Sequence, residues 1–429
     1  MGERSWVERD AAVVWHGFTQ MAAYAGNRPL IVHAAEGREL VDVEGRRYLD
    51  AISSLWVTTL GHRVPELDAA LRAQLDKVAH TTLLGNGATV VVELAEALAA
   101  VVPVREPHFL FASDGAAAVE QALKIAFQHW TNRGVRGRDR YLAFGGAYHG
   151  DTVGALSLGD GGFGTDVFDP LRFPVVRAAG LDEPDGPAAA VRLIAEQADR
   201  LAAVVIEPLC QGAAGMRVHP PEALRAVADA CRDHGVLLVA DEVATGFGRT
   251  GTLFAVEQAG VQPDLMCLGK GLTGGYLPMS VTVASGPVFD AFLGEDLSER
   301  TLYHGHSYGG NALAAAVALR HLQLLGEWDV LANVRARADQ LGARLATDVS
   351  PLPAVADVRR CGLMTGVELA PPAGGLRWGR RVCAAAVERG VLLRPLGDVV
   401  VVMPMLTTTA AEIDRIVDVV VAAIGEVCG

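Results

Sequence analysis

Lys270 stands between two glycines, directly after the apolar run Leu265–Leu268. An amine there is badly placed for a hydrated surface charge and well placed for covalent work, because desolvation lowers its pKa toward the neutral, nucleophilic form. Asp241 follows a second apolar run, Val236–Ala240, so its carboxylate sits at the mouth of a buried strand and needs a cationic partner. A protonated ring nitrogen would serve, and so would Arg249 in the glycine-rich stretch that follows. Asp114-Gly115-Ala116 opens a helical pattern whose free N–H groups and positive dipole end suit a phosphate, with glycine allowing close approach. An ordinary Asp cap fits the same residues. Tyr148, in the glycine-bracketed loop Gly146-Ala147-Tyr148-His149-Gly150, offers a ring for stacking or is a core tyrosine with a satisfied hydroxyl. Glu207-Pro208 marks another apolar run's end. A phosphate cradle, a ring to stack on, an acid for a ring nitrogen and an amine for an aldehyde match pyridoxal phosphate part for part. An Asp-to-pyridinium and Lys-to-aldehyde pair is the recurrent protein contribution to that cofactor's chemistry.

The elements that must position these groups are legible as alternation. From about Glu66 to Leu325, short apolar runs alternate with helical patterns, the signature of a mostly parallel sheet covered on both faces. The spacing predicts strands at His108–Ala112, Tyr141–Phe144, Ala202–Ile206, Val236–Ala240 and Leu265–Leu268, and an amphipathic helix over Ala116–Trp130 through Val119, Leu123, Ala126 and Trp130. In such sheets ligands bind beyond the carboxyl ends of the strands, where the chemistry-bearing residues fall. Residues 66–327 form the expected large domain. Beyond Trp328 a long helix, Arg360–Leu369, a second helix and two strand-like runs, Val391–Arg394 and Val399–Met403, suggest an α+β unit. Short strands in Leu40–Leu60, turning at Glu44-Gly45, are expected to join it, so that residues 1–65 and 328–429 form one discontinuous small domain. Pro371–Gly375 reads as a surface loop.

Bulk properties exclude other classes. A chain of 429 residues, 51% hydrophobic, can bury a large core, and a net charge of -13 repels phosphate backbones and anionic membranes alike, so neither nucleic acid nor membrane is an expected partner. The opening Met1–Trp6 carries charges where a signal peptide needs an apolar stretch, and no later run is long enough to span a bilayer; a cytoplasmic enzyme is expected. The 6 cysteines are scattered without a C-x-x-C pair and read as free thiols. His304-Gly305-His306 lacks a plausibly spaced third ligand, so no metal is expected. Gly246–Gly251 and Gly159–Gly164 both satisfy the G-x-G-x-x-G string of a nicotinamide-dependent oxidoreductase. Neither joins a strand directly to a helix, so that reading ranks below the transferase.

The sequence resembles the class III (ω-type) aminotransferases from Trp15 to about Ile424, through Ile206-Glu207-Pro208, the stretch Asp241–Gly251 and Leu268-Gly269-Lys270-Gly271. That resemblance implies the fold type I architecture of pyridoxal-phosphate-dependent transferases, α/β with a mostly parallel large domain. By it, Lys270 holds the aldehyde, Asp241 keeps the pyridine nitrogen protonated, Tyr148 and Val243 flank the ring, and Asp114, Gly115 and Ala116 cradle the phosphate, with Glu207 also in the cofactor site. It implies a homodimer with shared sites, in which Ser307 completes the neighbouring subunit's phosphate pocket. Within the class the chain looks most like the 7,8-diaminononanoate synthase family of biotin biosynthesis, through Trp15-His16, Ser53-Ser54, Tyr148–Thr152, Leu268–Gly275, His304-Gly305 and Leu393-Arg394-Pro395. Arg394 then resembles the clamp for the acceptor's distant carboxylate, a task suited to a planar guanidinium, although a surface arginine in a hairpin fits too. Phe18, Leu55 and Trp56 fall where substrate is held.

Relatives using S-adenosylmethionine typically have tyrosine at Phe18, tryptophan at Leu55 and Pro-Thr at His306-Ser307. The residues here resemble instead a branch in which lysine is the donor; both donors stay open, lysine favoured. Another ω-aminotransferase, acting on a diamine, an ω-amino acid or a specialised-pathway ketone, would use the same scaffold, and a non-catalytic binding protein would not need Lys270, Asp241 and Tyr148 together.

Overall fold

Seven strands form the central sheet of the computed structural model, which describes residues 4–162 and 164–429. Met1–Glu3 of the charged opening and Phe163 of the second glycine string lie outside the described residues. In spatial order the strands are His108–Ala112, Ser280–Ala284, Leu265–Leu268, Leu237–Asp241, Leu201–Ile206, Arg140–Phe144 and Val176–Ala178. All run parallel except Ser280–Ala284, which pairs antiparallel with both neighbours. Leu201–Ile206 is buried along its whole length, as a strand covered on both faces must be, which is why it reads as an unbroken apolar run.

Two of these strands escaped the sequence reading. Val176–Ala178 has only 3 residues. Ser280–Ala284 alternates Ser and Thr with Val, yet every residue is buried; Thr282 tolerates burial because its hydroxyl donates to the Ala118 carbonyl and meets Gln121, 2.8 Å from each.

The expected amphipathic helix spans Gly115–Asn132, capped by Asp114, and packs Val119, Ala122, Leu123 and Ala126 beneath the sheet. A separate sheet orders Val32–Glu36, Glu39–Asp42 and Arg47–Asp50 beside Val391–Leu392, with Val391 opposite Leu49. Its turn passes through Gly45 at φ 82, a left-handed position that favours glycine. The C-terminal sheet orders Val355–Cys361, Met364–Leu369, Val399–Val402 and Arg394–Leu396. The single run expected over Val391–Arg394 is therefore two strands that part at Leu393 and join different sheets. Pro395, which lacks an N–H to donate, confines the second piece to an edge.

No helix among the described residues is long and apolar enough to cross a membrane. The thiols of Cys210, Cys231, Cys267 and Cys383 are buried, and all 6 cysteines are unpaired.

Candidate active site

Lys270 begins the short turn Lys270–Thr273 immediately beyond the strand Leu265–Leu268, at φ 40. A left-handed φ is costly for a residue with a side chain and persists only where the surroundings enforce it. Its amine makes no hydrogen bond or ion pair among the described residues; Nζ lies 5.2 Å from the centroid of the Trp56 ring. Burial lowers its pKa, against the opposing charges of Asp241 and Glu207. This is the state a nucleophilic amine requires.

Asp241 ends the neighbouring strand, almost wholly out of solvent. Oδ2 meets His149 Nδ1 at 2.7 Å, and Oδ1 accepts from the Val243 N–H at 3.1 Å. Burial pushes the His149 pKa down, but its hydrogen bond to Asp241 and the Asp241 and Glu207 charges outweigh that and raise it. His149 Nε2 is buried with no partner. Arg249, the other candidate partner for Asp241, goes elsewhere: its buried guanidinium donates to Ser53 Oγ at 3.2 Å, the Pro404 carbonyl at 2.8 Å and the Thr58 carbonyl at 2.8 Å. Glu207 accepts from the N–H groups of Tyr148 and Gly212, and burial pushes its pKa up to about 7.

Asp114 does act as a cap, accepting from the Ala117 N–H at 2.9 Å. That leaves the first two helical N–H groups, of Gly115 and Ala116, facing outward from a positive dipole end. A Cβ on Gly115 would stand 2.6 Å from Val243 Cγ1, and one on Gly150 would stand 2.4 Å from Ala116 Cβ. The two glycines thus bring the helix start, Val243 and the Tyr148 loop together. Tyr148 donates its hydroxyl proton to Asp151 at 2.9 Å, and burial followed by that bond raises its pKa.

The other wall is Ser53–Trp56, where Ser53, Ser54 and Trp56 all have positive φ. Trp56 is 7% exposed, Leu55 47% and Phe18 63%. Trp56 shares an apolar cluster with Val401, whose register partner is Arg394; the Arg394 side chain is exposed and unpaired among the described residues. Ser307 is exposed as well, and its carbonyl accepts from His80 Nε2 at 2.7 Å. His304 Nδ1 lies 3.1 Å from Lys124 Nζ, and His306 Nδ1 accepts from the Tyr308 N–H. A cavity of about 310 Å3 lined by Leu83, Leu84, Phe109, Gln121, His304 and Gly305 lies in this region and does not include Lys270.

Sequence reasoning gave no role to His149, although its position beside Tyr148 was visible; a histidine one residue from a candidate stacking ring was the signal. The glycine string Gly246–Gly251 is a run of turns that leads to no helix at its end, which removes the dinucleotide-binding context.

A free amine, a buried carboxylate, two open helical N–H groups and a glycine-floored cradle fit pyridoxal phosphate. The class III aminotransferase model matches residues 20–424. The adenosylmethionine-8-amino-7-oxononanoate aminotransferase of Nitratidesulfovibrio vulgaris is 47% identical over 97% of this chain and 80% of its own length. The crystal structure of the enzyme of that name from Methanocaldococcus jannaschii superposes with a TM-score of 0.95 at 37% identity, covering 98% of each chain. An amine transaminase from an uncultivated Pseudomonas species, described in its PLP-bound form, superposes with a TM-score of 0.91 at 32% identity over 97% of this chain and 99% of that one.

Proposed function

Because the chain belongs to the class III aminotransferases and is a pyridoxal-phosphate-dependent transaminase, we propose that its acceptor is 8-amino-7-oxononanoate, aminated to 7,8-diaminononanoate, with lysine favoured over S-adenosylmethionine as donor. The observation that carries the acceptor is Arg394. An exposed, unpaired guanidinium at the rim of the apolar cluster around Trp56 complements a molecule whose reacting ketone and terminal carboxylate are separated by a hydrocarbon chain. The same name borne by the Nitratidesulfovibrio and Methanocaldococcus relatives supports it. Phe18, Leu55 and His306-Ser307 favour lysine as donor.

The bound cofactor supplies an aldehyde for amines and a protonated ring that accepts electrons. In this reading Lys270 Nζ would hold the cofactor through its aldehyde and, when free, would be the base that moves a proton at the substrate carbon. Asp241 keeps the ring nitrogen protonated, with His149 behind it. Tyr148 and Val243 flank the ring, the Gly115 and Ala116 N–H groups hold the phosphate, and Glu207 fixes the Tyr148 loop from below. Ser307 of a second copy completes the phosphate pocket in a homodimer; exposed Tyr303, Tyr308 and Leu84 near that stretch support an interface there. Residues 1–65 and 328–429 form the small domain that carries the substrate wall.

The test is the visible spectrum of the holoenzyme, titrated separately with lysine and S-adenosylmethionine. One donor should bleach the band of the Lys270-bound cofactor, and 8-amino-7-oxononanoate should restore it. A band that neither donor bleaches overturns the substrate reading.

A further inference from the structure

His321, on the helix Ala312–Glu327, is wholly out of solvent, with Nε2 2.7 Å from Thr59 Oγ1. Burial lowers its pKa to about 3, against a backbone hydrogen bond to Leu272 that raises it and with the Arg249 charge that lowers it further, so the ring stays neutral at working pH. It sits where two backbone stretches pack directly on one another. A Cβ on Gly274 would come 3.1 Å from His321 Cδ2 and 3.4 Å from Thr59 Oγ1. One on Gly271 would stand 3.2 Å from Thr59 Cγ2, and one on Gly275 2.8 Å from Thr58 Cα. One stretch begins with Lys270; the other runs from Trp56 to Thr59. Lys270, Ser53, Ser54 and Trp56 all hold positive φ, so both stretches need an external lock. The Thr59 carbonyl is pinned by the Leu406 N–H at 2.8 Å, which leaves its hydroxyl to face the helix.

We propose that His321, acting through Thr59, is a positioning residue that fixes the Lys270 turn against the Trp56 turn, so that the amine and the substrate wall keep one geometry. The proposal rests on the reading that Lys270 carries the covalent link to the cofactor. The bond joins neutral partners in a dry interior, so removing either hydroxyl or imidazole leaves the other unsatisfied and frees the joint. A shift of about 1 Å at a reacting amine is enough to cost catalysis without changing how substrate is bound.

The experiment uses holoenzyme carrying Thr59→Val, Thr59→Ser, His321→Gln and the pair Thr59→Val with His321→Gln. Its readouts are the pH midpoint of the cofactor's visible band, kcat and KM for the acceptor, and the melting temperature. Thr59→Val should move the midpoint by about half a pH unit or more and lower kcat roughly tenfold, with KM within about twofold. Thr59→Ser should restore both, and the paired variant should be no worse than the poorer single one. A Thr59→Val enzyme with a wild-type midpoint and kcat overturns the proposal, whatever its melting temperature. Should His321→Gln fail to fold, the Thr59 pair decides alone, since valine fills the same space. A wild-type protein with no visible band would instead overturn the role of Lys270, and the positioning role with it.

Discussion

His149 Nδ1 stands 2.7 Å from Asp241 Oδ2, and both side chains are almost wholly out of solvent. The Coulomb attraction and the hydrogen bond keep a proton on an imidazole that burial alone would strip. The carboxylate thus has the imidazole on Oδ2 and the Val243 N–H on Oδ1.

The sign of that coupling gives a first test on the apoprotein. A histidine whose folded pKa is raised above 6.5 contributes stability that is complete below that value and is lost as pH rises through the raised one. His149→Phe should cost about 3–5 kcal/mol near pH 6, because it strands a buried carboxylate, and measurably less well above the raised pKa. Urea unfolding at both ends of that range checks it; an equal penalty at the two would mean that His149 only fills space.

Arg394 yields a second expectation. Its guanidinium is exposed and has no carboxylate partner among the described residues, so it is available to a ligand. Arg394→Ala should raise KM for the acceptor by about 10- to 100-fold, the worth of a charged hydrogen bond, while leaving KM for the acceptor's methyl ester nearly unchanged. Equal losses on acid and ester would remove the clamp. Arg394→Lys should recover only part of the binding, since an ammonium cannot present two parallel donors.

The strand ends, and so the positions of Lys270 and Asp241, were legible because buried parallel strands write themselves as short apolar runs with a polar break. Ser280–Ala284 was not, since Thr282 hides its polarity in bonds to residues far away in sequence. The parting of strands at Leu393 depends on pairing with Leu49 and Asp50 from the other end of the chain, which no local pattern carries. Arg249 shows the same limit within the site. Its proximity in sequence to Asp241 suggested an ion pair, and only the fold shows it holding Ser53, Thr58 and Pro404 instead.

Glu242, next to Asp241 but turned away into the core, offers a pH test free of cofactor chemistry. It accepts from the Thr245 hydroxyl and the Val256 N–H, and burial raises its pKa from 4.5 to about 7. A carboxyl that binds its proton more tightly when folded makes the folded state lose stability as pH rises from the unfolded value to the folded one. At about 1.4 kcal/mol per pH unit the cost reaches at most about 3–4 kcal/mol. Glu242→Gln keeps an acceptor for Val256 and an amide for Thr245 and cannot ionise. It should therefore match the wild type near pH 5 and exceed it above pH 7 in denaturant midpoint. A variant that is weaker at every pH would show that the carboxylate's second acceptor matters more than its charge.

Ser307 separates a site built from one chain from one built from two. It is exposed, its carbonyl is tied to His80, and it makes no hydrogen bond to the Lys270 cluster. In the shared-site reading, Ser307→Glu places a like charge beside the phosphate of the opposite subunit, and Lys270→Ala removes the amine from its own. Each variant alone should be inactive. Co-refolded in equal amounts, half of the dimers are mixed, and each mixed dimer has one site with both residues intact, so about a quarter of the wild-type activity should return. If Ser307 serves its own chain, every mixed site carries one lesion and nothing returns. The recovery should also saturate with time as subunits exchange, and should be absent when the two variants are mixed under conditions where the dimer does not dissociate, which distinguishes complementation from residual activity in either preparation.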